Sequence, residues 1–210
     1  MACRRVEAGK EVAQSFKDLK GTYEVIKCDL ADLQSVRAFV KSFLSKHDRL
    51  DGLACNAGMV NMTGKPTYTK DEFETTIAVS YMGHFLLTEL LLDNLKSSAP
   101  SRIMLLSSVV HAGSPKKRHQ VHLDDINYKN RKFQAFDVYS EAKVACNQYI
   151  LELADRLKGT GVTTYAVHPG WARSNFGSGG SFMMNTMMTC LLYTSPSPRD
   201  QRGSRMPSSA

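Results

Sequence analysis

Residues 102–108 read RIMLLSS, a near-continuous apolar run from Arg102 that closes on the hydroxyls of Ser107 and Ser108. A strand so uniformly apolar is expected where helices cover both faces of a parallel sheet. Downstream, Tyr139 to Leu157 has helical periodicity, Gly159 to Gly161 end it, and Val162 to Val167 forms the next strand before His168-Pro169-Gly170. Upstream, Leu50 to Cys55 is a short apolar strand closed by Asn56-Ala57-Gly58. A long helical stretch follows from about Lys70 to Ser98, with Phe73, Ile77, Phe85, Leu86, Leu90 and Leu91 inward and Pro100 as its stop. Nearer the start, residues 7–20 set Val12, Phe16 and Leu19 on one helical stripe ended by Gly21. Tyr23 to Lys27 then reads as a strand, and Asp32 caps a helix carrying Val36, Phe39, Val40 and Phe43. Strand and helix alternate throughout, which predicts an α/β fold with a doubly wound parallel sheet.

The composition agrees. With 210 residues, 42% hydrophobic and 22% charged, the chain can bury one core and is neither disordered nor disulfide-rich. No apolar run approaches the roughly 18 residues of a spanning helix, and Met1-Ala2-Cys3-Arg4-Arg5 lacks a signal peptide's apolar stretch. Cys3, Cys28, Cys55, Cys146 and Cys190 are scattered and odd in number, as in a reduced cytoplasmic protein. The net charge of +7 is spread out or clustered at Lys116, Lys117, Arg118 and the C-terminal tail, without interleaved aromatics, so no nucleic-acid partner is expected. His111, His119 and His122 lie near Asp124 and Asp125 in a polar excursion without a matched helix or strand face, so no metal site is assigned.

From Gly177 the character changes. Residues 177–193 form a glycine spacer and a Met-rich apolar segment in which Met183, Met184, Met187 and Met188 fall at helical spacing; packing is preferred there over membrane contact. Residues 194–210 are rich in Ser, Pro and Arg without periodicity, and read as a disordered tail foreign to the rest.

Tyr139 and Lys143, four apart in YSEAK, share one helix face. An ammonium beside a phenol favours the phenolate, so the pair is expected to lower the tyrosine pKa toward neutrality for proton transfer. Ser107 and Ser108, Asn56-Ala57-Gly58 and His168-Pro169-Gly170 all follow strands, at the carboxyl edge where doubly wound folds bind ligands.

On CDL (Cys28 to Leu30), NAG (Asn56 to Gly58), SS (Ser107 and Ser108), YSEAK (Tyr139 to Lys143) and HPG (His168 to Gly170), in this order, the sequence resembles the short-chain dehydrogenases/reductases over about residues 1–176. GHFLLTELLLDNLKSSAPSRI (Gly83 to Ile103) and RLKGTGVTTYAVHPG (Arg156 to Gly170) are most similar to the retinol dehydrogenase group. The resemblance implies a Rossmann-type sheet and hydride transfer between a nicotinamide cofactor and a lipophilic, retinoid-like carbonyl or alcohol. It implies Tyr139 as acid/base, Lys143 on the nicotinamide ribose and Ser108, rather than Ser107, on the substrate oxygen. Asp29 and Leu30 are placed at adenine, Asn56, Ala57 and Gly58 along the cofactor cleft, and Pro169, Gly170 and Ser174 beside the nicotinamide. Arg4 corresponds to the basic residue that pairs with a 2′-phosphate, because a guanidinium binds phosphate bidentately, which favours NADP over NAD. A homo-oligomer, and peripheral contact with the cytosolic face of a membrane, are further implications.

Two departures stand out. Ser80 replaces the family's usual Asn, whose role is to hold a water in a proton relay; a serine has fewer groups for it. No TGxxxGxG turn occurs, although its backbone and the helix behind it anchor the pyrophosphate in this family. With the strand order 3-2-1-4-5-6, lack of the first βαβ elements would leave the Tyr23 to Lys27 strand unpartnered and Leu50 to Cys55 as an open edge. The sequence therefore predicts a chain that is inactive and poorly soluble as written. The alternatives are a non-catalytic remnant that pairs its open edge with another protein, and a protochlorophyllide-type reductase.

Overall fold

The computed structural model describes residues 1–16, 21–113 and 118–170. One compact unit runs from Met1 to Pro169; a second spans Gly170 to Ala210, of which only Gly170 is among the described residues. Ser174, Lys116, Lys117, the Met-rich segment and the tail therefore lie outside the described residues.

The unit opens with β1 (Ala2–Cys3), α1 (Val6–Gln14) and β2 (Ile26–Lys27). β1 and β2 pair in parallel, with Ile26 N–H donating to Met1 O at 2.9 Å and Cys28 N–H to Cys3 O at 3.0 Å. This corrects the expectation of an unpartnered strand: the first residues are extended enough to supply the partner, though the strand itself shortens to Ile26–Lys27.

Helix α2 (Leu33–Leu44) begins where expected, because the Asp32 carboxylate accepts from Gln34 N–H at 2.9 Å and Ser35 N–H at 3.0 Å. Its Val36, Phe39 and Val40 are buried. Next come β3 (Gly52–Cys55), α3 (Thr75–Ile77), a π-helical segment (Ala78–Met82) and α4 (Gly83–Ser97). The helix expected from Lys70 thus starts at Thr75. Glu72 takes a positive φ of 63°, and the buried Glu74 carboxylate caps Thr76 and Ile77, so helical dihedrals cannot extend upstream.

β4 (Ser101–Leu106), α5 (Ala135–Arg156) and β5 (Val162–Val167) complete the unit. The sheet order is β3-β4-β5, all parallel, and β1-β2 forms a separate sheet. Helices α4 and α5 both pack on the three-stranded sheet, and Leu91, Leu95, Ile103, Leu105 and Leu153 form the centre of the core. Burying one such side chain contributes about 2 kcal/mol.

Coverage of both faces of β4 does not hold among the described residues. Ile103 and Leu105 are buried, but Met104 between them is 39% exposed, and its registered neighbours Ala54 and Tyr165 are exposed too. The strand is uniformly apolar in sequence yet alternates in burial, because α4 and α5 lie against the same side chains, those of Ile103 and Leu105.

Among the described residues one helical stretch, Thr75–Ser97, has the length and apolarity to cross a membrane. Its Leu87, Leu91, Leu92 and Leu95 are buried in the protein core, which accounts for its apolar character.

Candidate active site

Two groups of residues assemble at the carboxyl ends of the strands. The first lines a cavity of about 500 Å³, within the range typical of small-molecule and cofactor sites. Arg4 comes from the end of β1, Asp29 and Leu30 from the turn after β2, and Asn56, Ala57 and Gly58 from the turn after β3. All six had been singled out in the sequence. Local hydrogen bonds shape these turns: Asp29 Oδ1 accepts from Ala31 N–H at 3.0 Å, and Asp29 N–H donates to Ser35 Oγ at 3.0 Å. An exposed guanidinium at the rim and small residues along the wall suit an anionic, partly planar ligand such as a dinucleotide.

The second group is Ser108, Tyr139 and Lys143. Tyr139 lies in the second turn of α5, whose start at Ala135 is earlier than the periodicity suggested. The side chain of Ser108 acts on its hydroxyl and pulls the tyrosine pKa down. Ser108 also accepts from Val110 N–H at 3.4 Å as the cap of a short 3-10 turn, which fixes its backbone just past β4. Ser107 is buried and its Oγ has no hydrogen-bond partner among the described residues, so of the two serines it is Ser108 that acts on the tyrosine.

Lys143, one helical turn on, lies 5.4 Å from the Tyr139 ring centroid and donates to Leu106 O at 2.5 Å. Both side chains are buried. Burial raises the Tyr139 pKa to about 12, against the opposing pull of the Ser108 side chain. Burial likewise lowers the Lys143 pKa. The expected acidification of Tyr139 is therefore corrected: the ammonium is committed to a carbonyl and sits over the ring, and desolvation dominates. The phenol keeps its proton at neutral pH, the state needed to donate one.

Ser80 sits in the π-helical segment, fully buried. Its hydroxyl donates to Met59 O at 3.1 Å and accepts from Met59 N–H at 3.2 Å, while its own carbonyl accepts from Cys146 Sγ at 3.3 Å. The hydroxyl is thus committed to the backbone just after Gly58, where it positions the cleft wall. Pro169 is exposed and does not line the cavity; Gly170, with φ of 71°, belongs to the second unit.

The sequence reading passed over His84, which also lines the cavity and joins Ala57 O at 2.8 Å through Nε2. Its signal was a lone imidazole following a glycine in the otherwise apolar MGHFLL, four residues after Ser80. Among the described residues no group of His, Cys, Asp and Glu is arranged to hold a metal ion.

Comparison with known proteins identifies the family. Residues 1–118 match the family model for short chain dehydrogenases. Human retinol dehydrogenase 11 is 43% identical over 189 residues, covering 87% of this chain and 56% of its own length. Bovine retinol dehydrogenase 12 is 42% identical over 200 residues, covering 94% of this chain and 59% of its own. The chain therefore spans just over half the length of these relatives. Among solved structures, an uncharacterised protein of Mycobacterium paratuberculosis superposes with a TM-score of 0.67 at 30% identity, over 94% of this chain and 67% of that one. A metagenomic short-chain oxidoreductase solved in complex with NADP superposes with a TM-score of 0.61 at 24% identity, over 80% and 69% of the two chains. With its parallel strands, its tyrosine under the influence of Ser108, and the model match over more than half its length, the chain belongs to the short-chain dehydrogenase/reductase family.

Proposed function

We propose that this chain carries the catalytic groups and much of the cofactor cleft of an NADP-dependent oxidoreductase that interconverts a lipophilic carbonyl and its alcohol, with a retinoid-like substrate. The observation that carries this reading is the influence of the Ser108 hydroxyl on that of Tyr139, with Lys143 one turn away. Arg4 at the cavity rim supports NADP over NAD, since a guanidinium complements a 2′-phosphate. The relatives named retinol dehydrogenase support the substrate class.

NADPH bound in the cleft would supply the hydride. In the reducing direction Tyr139, protonated at neutral pH, gives its proton to the oxygen on which negative charge develops. Ser108 donates a second hydrogen bond to that same oxygen. Lys143 would hold the cofactor ribose, and it keeps positive charge beside the phenol as the phenol ionises. The working location is the cytosolic face of a membrane, where a lipophilic substrate partitions.

The test is an NADPH fluorescence titration with retinal reduction assayed alongside. Tyr139→Phe is expected to lower kcat by about a thousandfold while NADPH affinity stays within about threefold, since proton transfer by a positioned side chain contributes on that order. Equal turnover by Tyr139→Phe and the parent would overturn the mechanism. A non-catalytic reading, in which the chain pairs a sheet edge with another protein, is favoured by β3, whose outer edge meets no strand among the described residues. It predicts a cooperative melt with neither NADPH binding nor turnover.

A further inference from the structure

We infer that His84 is a positioning residue of the cofactor cleft, holding the Asn56-Ala57-Gly58 turn in place through the Ala57 carbonyl. The inference rests on the reading of that cleft as the cofactor site. Ala57 O can only accept, so the Nε2 atom 2.8 Å away carries the hydrogen and the imidazole is the Nε2–H tautomer. Nδ1 is then a bare acceptor, buried without a partner, which leaves the Ala57 bond as the ring's one polar anchor among the described residues.

The position of His84 explains why that anchor matters. The turn after β2 and the turn after β3 both line the cavity, yet they end two sheets that share no strand ladder. One short helical stretch touches both. Gly83 lies so close to the first turn that a Cβ there would come within 2.6 Å of Leu30 O. His84 bonds the second turn at Ala57, and Ser80, one turn earlier, bonds it again at Met59. The junction of the π segment with α4 is thus a bracket that sets the spacing of the two walls, with His84 as the member that reaches the middle of the Asn56-Ala57-Gly58 turn. An apolar side chain of the same size fills the space but leaves the Ala57 carbonyl without its donor.

The experiment compares His84→Phe and His84→Gln in the full chain, by NADPH fluorescence titration and by amide hydrogen exchange over residues 55–61. A glutamine side-chain amide can place its nitrogen near the position of Nε2 and donate to the same carbonyl. The expected result is NADPH affinity about tenfold weaker for His84→Phe, the scale of one lost hydrogen bond, and within about threefold of the parent for His84→Gln. Exchange over residues 55–61 is expected to speed up in His84→Phe alone, with β4 and α5 protected as in the parent. Parent-like affinity and exchange in both variants would overturn the inference. So would loss of protection throughout the unit in both, which would mark His84 as core filling only. If the parent itself does not bind NADPH, the reading of the cleft falls, while the exchange measurement still decides whether His84 holds the turn.

Discussion

At the scale of single residues, burial decides the chemistry. Tyr139 is pushed up to about 12 and Lys143 is pushed down, although one is a candidate acid and the other its cationic neighbour. His84 is lowered from 6.5 to about 4, first by burial and further by the positive charge of Lys143, against the favourable bond to Ala57. This has a consequence for stability with a definite sign. Between those two values the unfolded chain takes up a proton that the folded chain refuses. The contribution is therefore complete above pH 6.5, and about 3 kcal/mol is lost as the pH falls to about 4. Urea midpoints at pH 7 and pH 4.5 check it: the parent should lose much of this amount, and His84→Gln should show a shallower slope. The identities of Tyr139, Ser108 and Lys143 were legible in the sequence because their order and spacing survive as short motifs. Their protonation states were not, since desolvation depends on side chains far away in the chain.

At the scale of elements, caps and close approaches set the boundaries. Asp32 was readable as a cap because its carboxylate acts within three residues of itself. The start of the long helix was not, because Glu74 is fixed by side chains and backbone from elsewhere, among them Asn61 at 3.3 Å and the side chain of Asn127 at 3.0 Å. Gly83 illustrates the same contrast. Local propensity favours alanine over glycine in a helix by about 1 kcal/mol. At this position the added Cβ meets Leu30 O at 2.6 Å and Leu30 Cβ at 2.8 Å, and a backbone oxygen cannot rotate away. Overpacking costs about 1–3 kcal/mol, so Gly83→Ala is expected to lower unfolding free energy by about 1 kcal/mol and to loosen the cleft. Urea denaturation measures the first effect, and a gain in stability would show that Leu30 can yield.

At the scale of the whole molecule, the described residues form two parallel sheets with a cavity of about 500 Å³ along their ends and one exposed sheet face. Ala54, Met104 and Tyr165 run across that face in register, with Met104 39% and Tyr165 47% exposed. A contiguous apolar row of this kind promotes association. Replacing Met104 and Tyr165 together by Thr, a residue well suited to strands, is expected to raise the concentration at which the chain stays monomeric. The thermal midpoint should fall little, since neither side chain belongs to the core. Light scattering across a dilution series reads this out; unchanged self-association would exonerate the face.

The sequence alone determined most of the strand and helix order, the parallel connections, and which residues of the turns after the first strands line the cavity, because periodicity and turn chemistry act over a few neighbouring positions. Only the tertiary structure decided which face of β4 is covered, that β1 partners β2, that Ser80 and His84 hold the cleft wall, and that Tyr139 keeps its proton. Those outcomes depend on desolvation and on contacts between residues tens of positions apart, such as His84 with Ala57 and Lys143 with Leu106, and such contacts leave no local pattern in the chain.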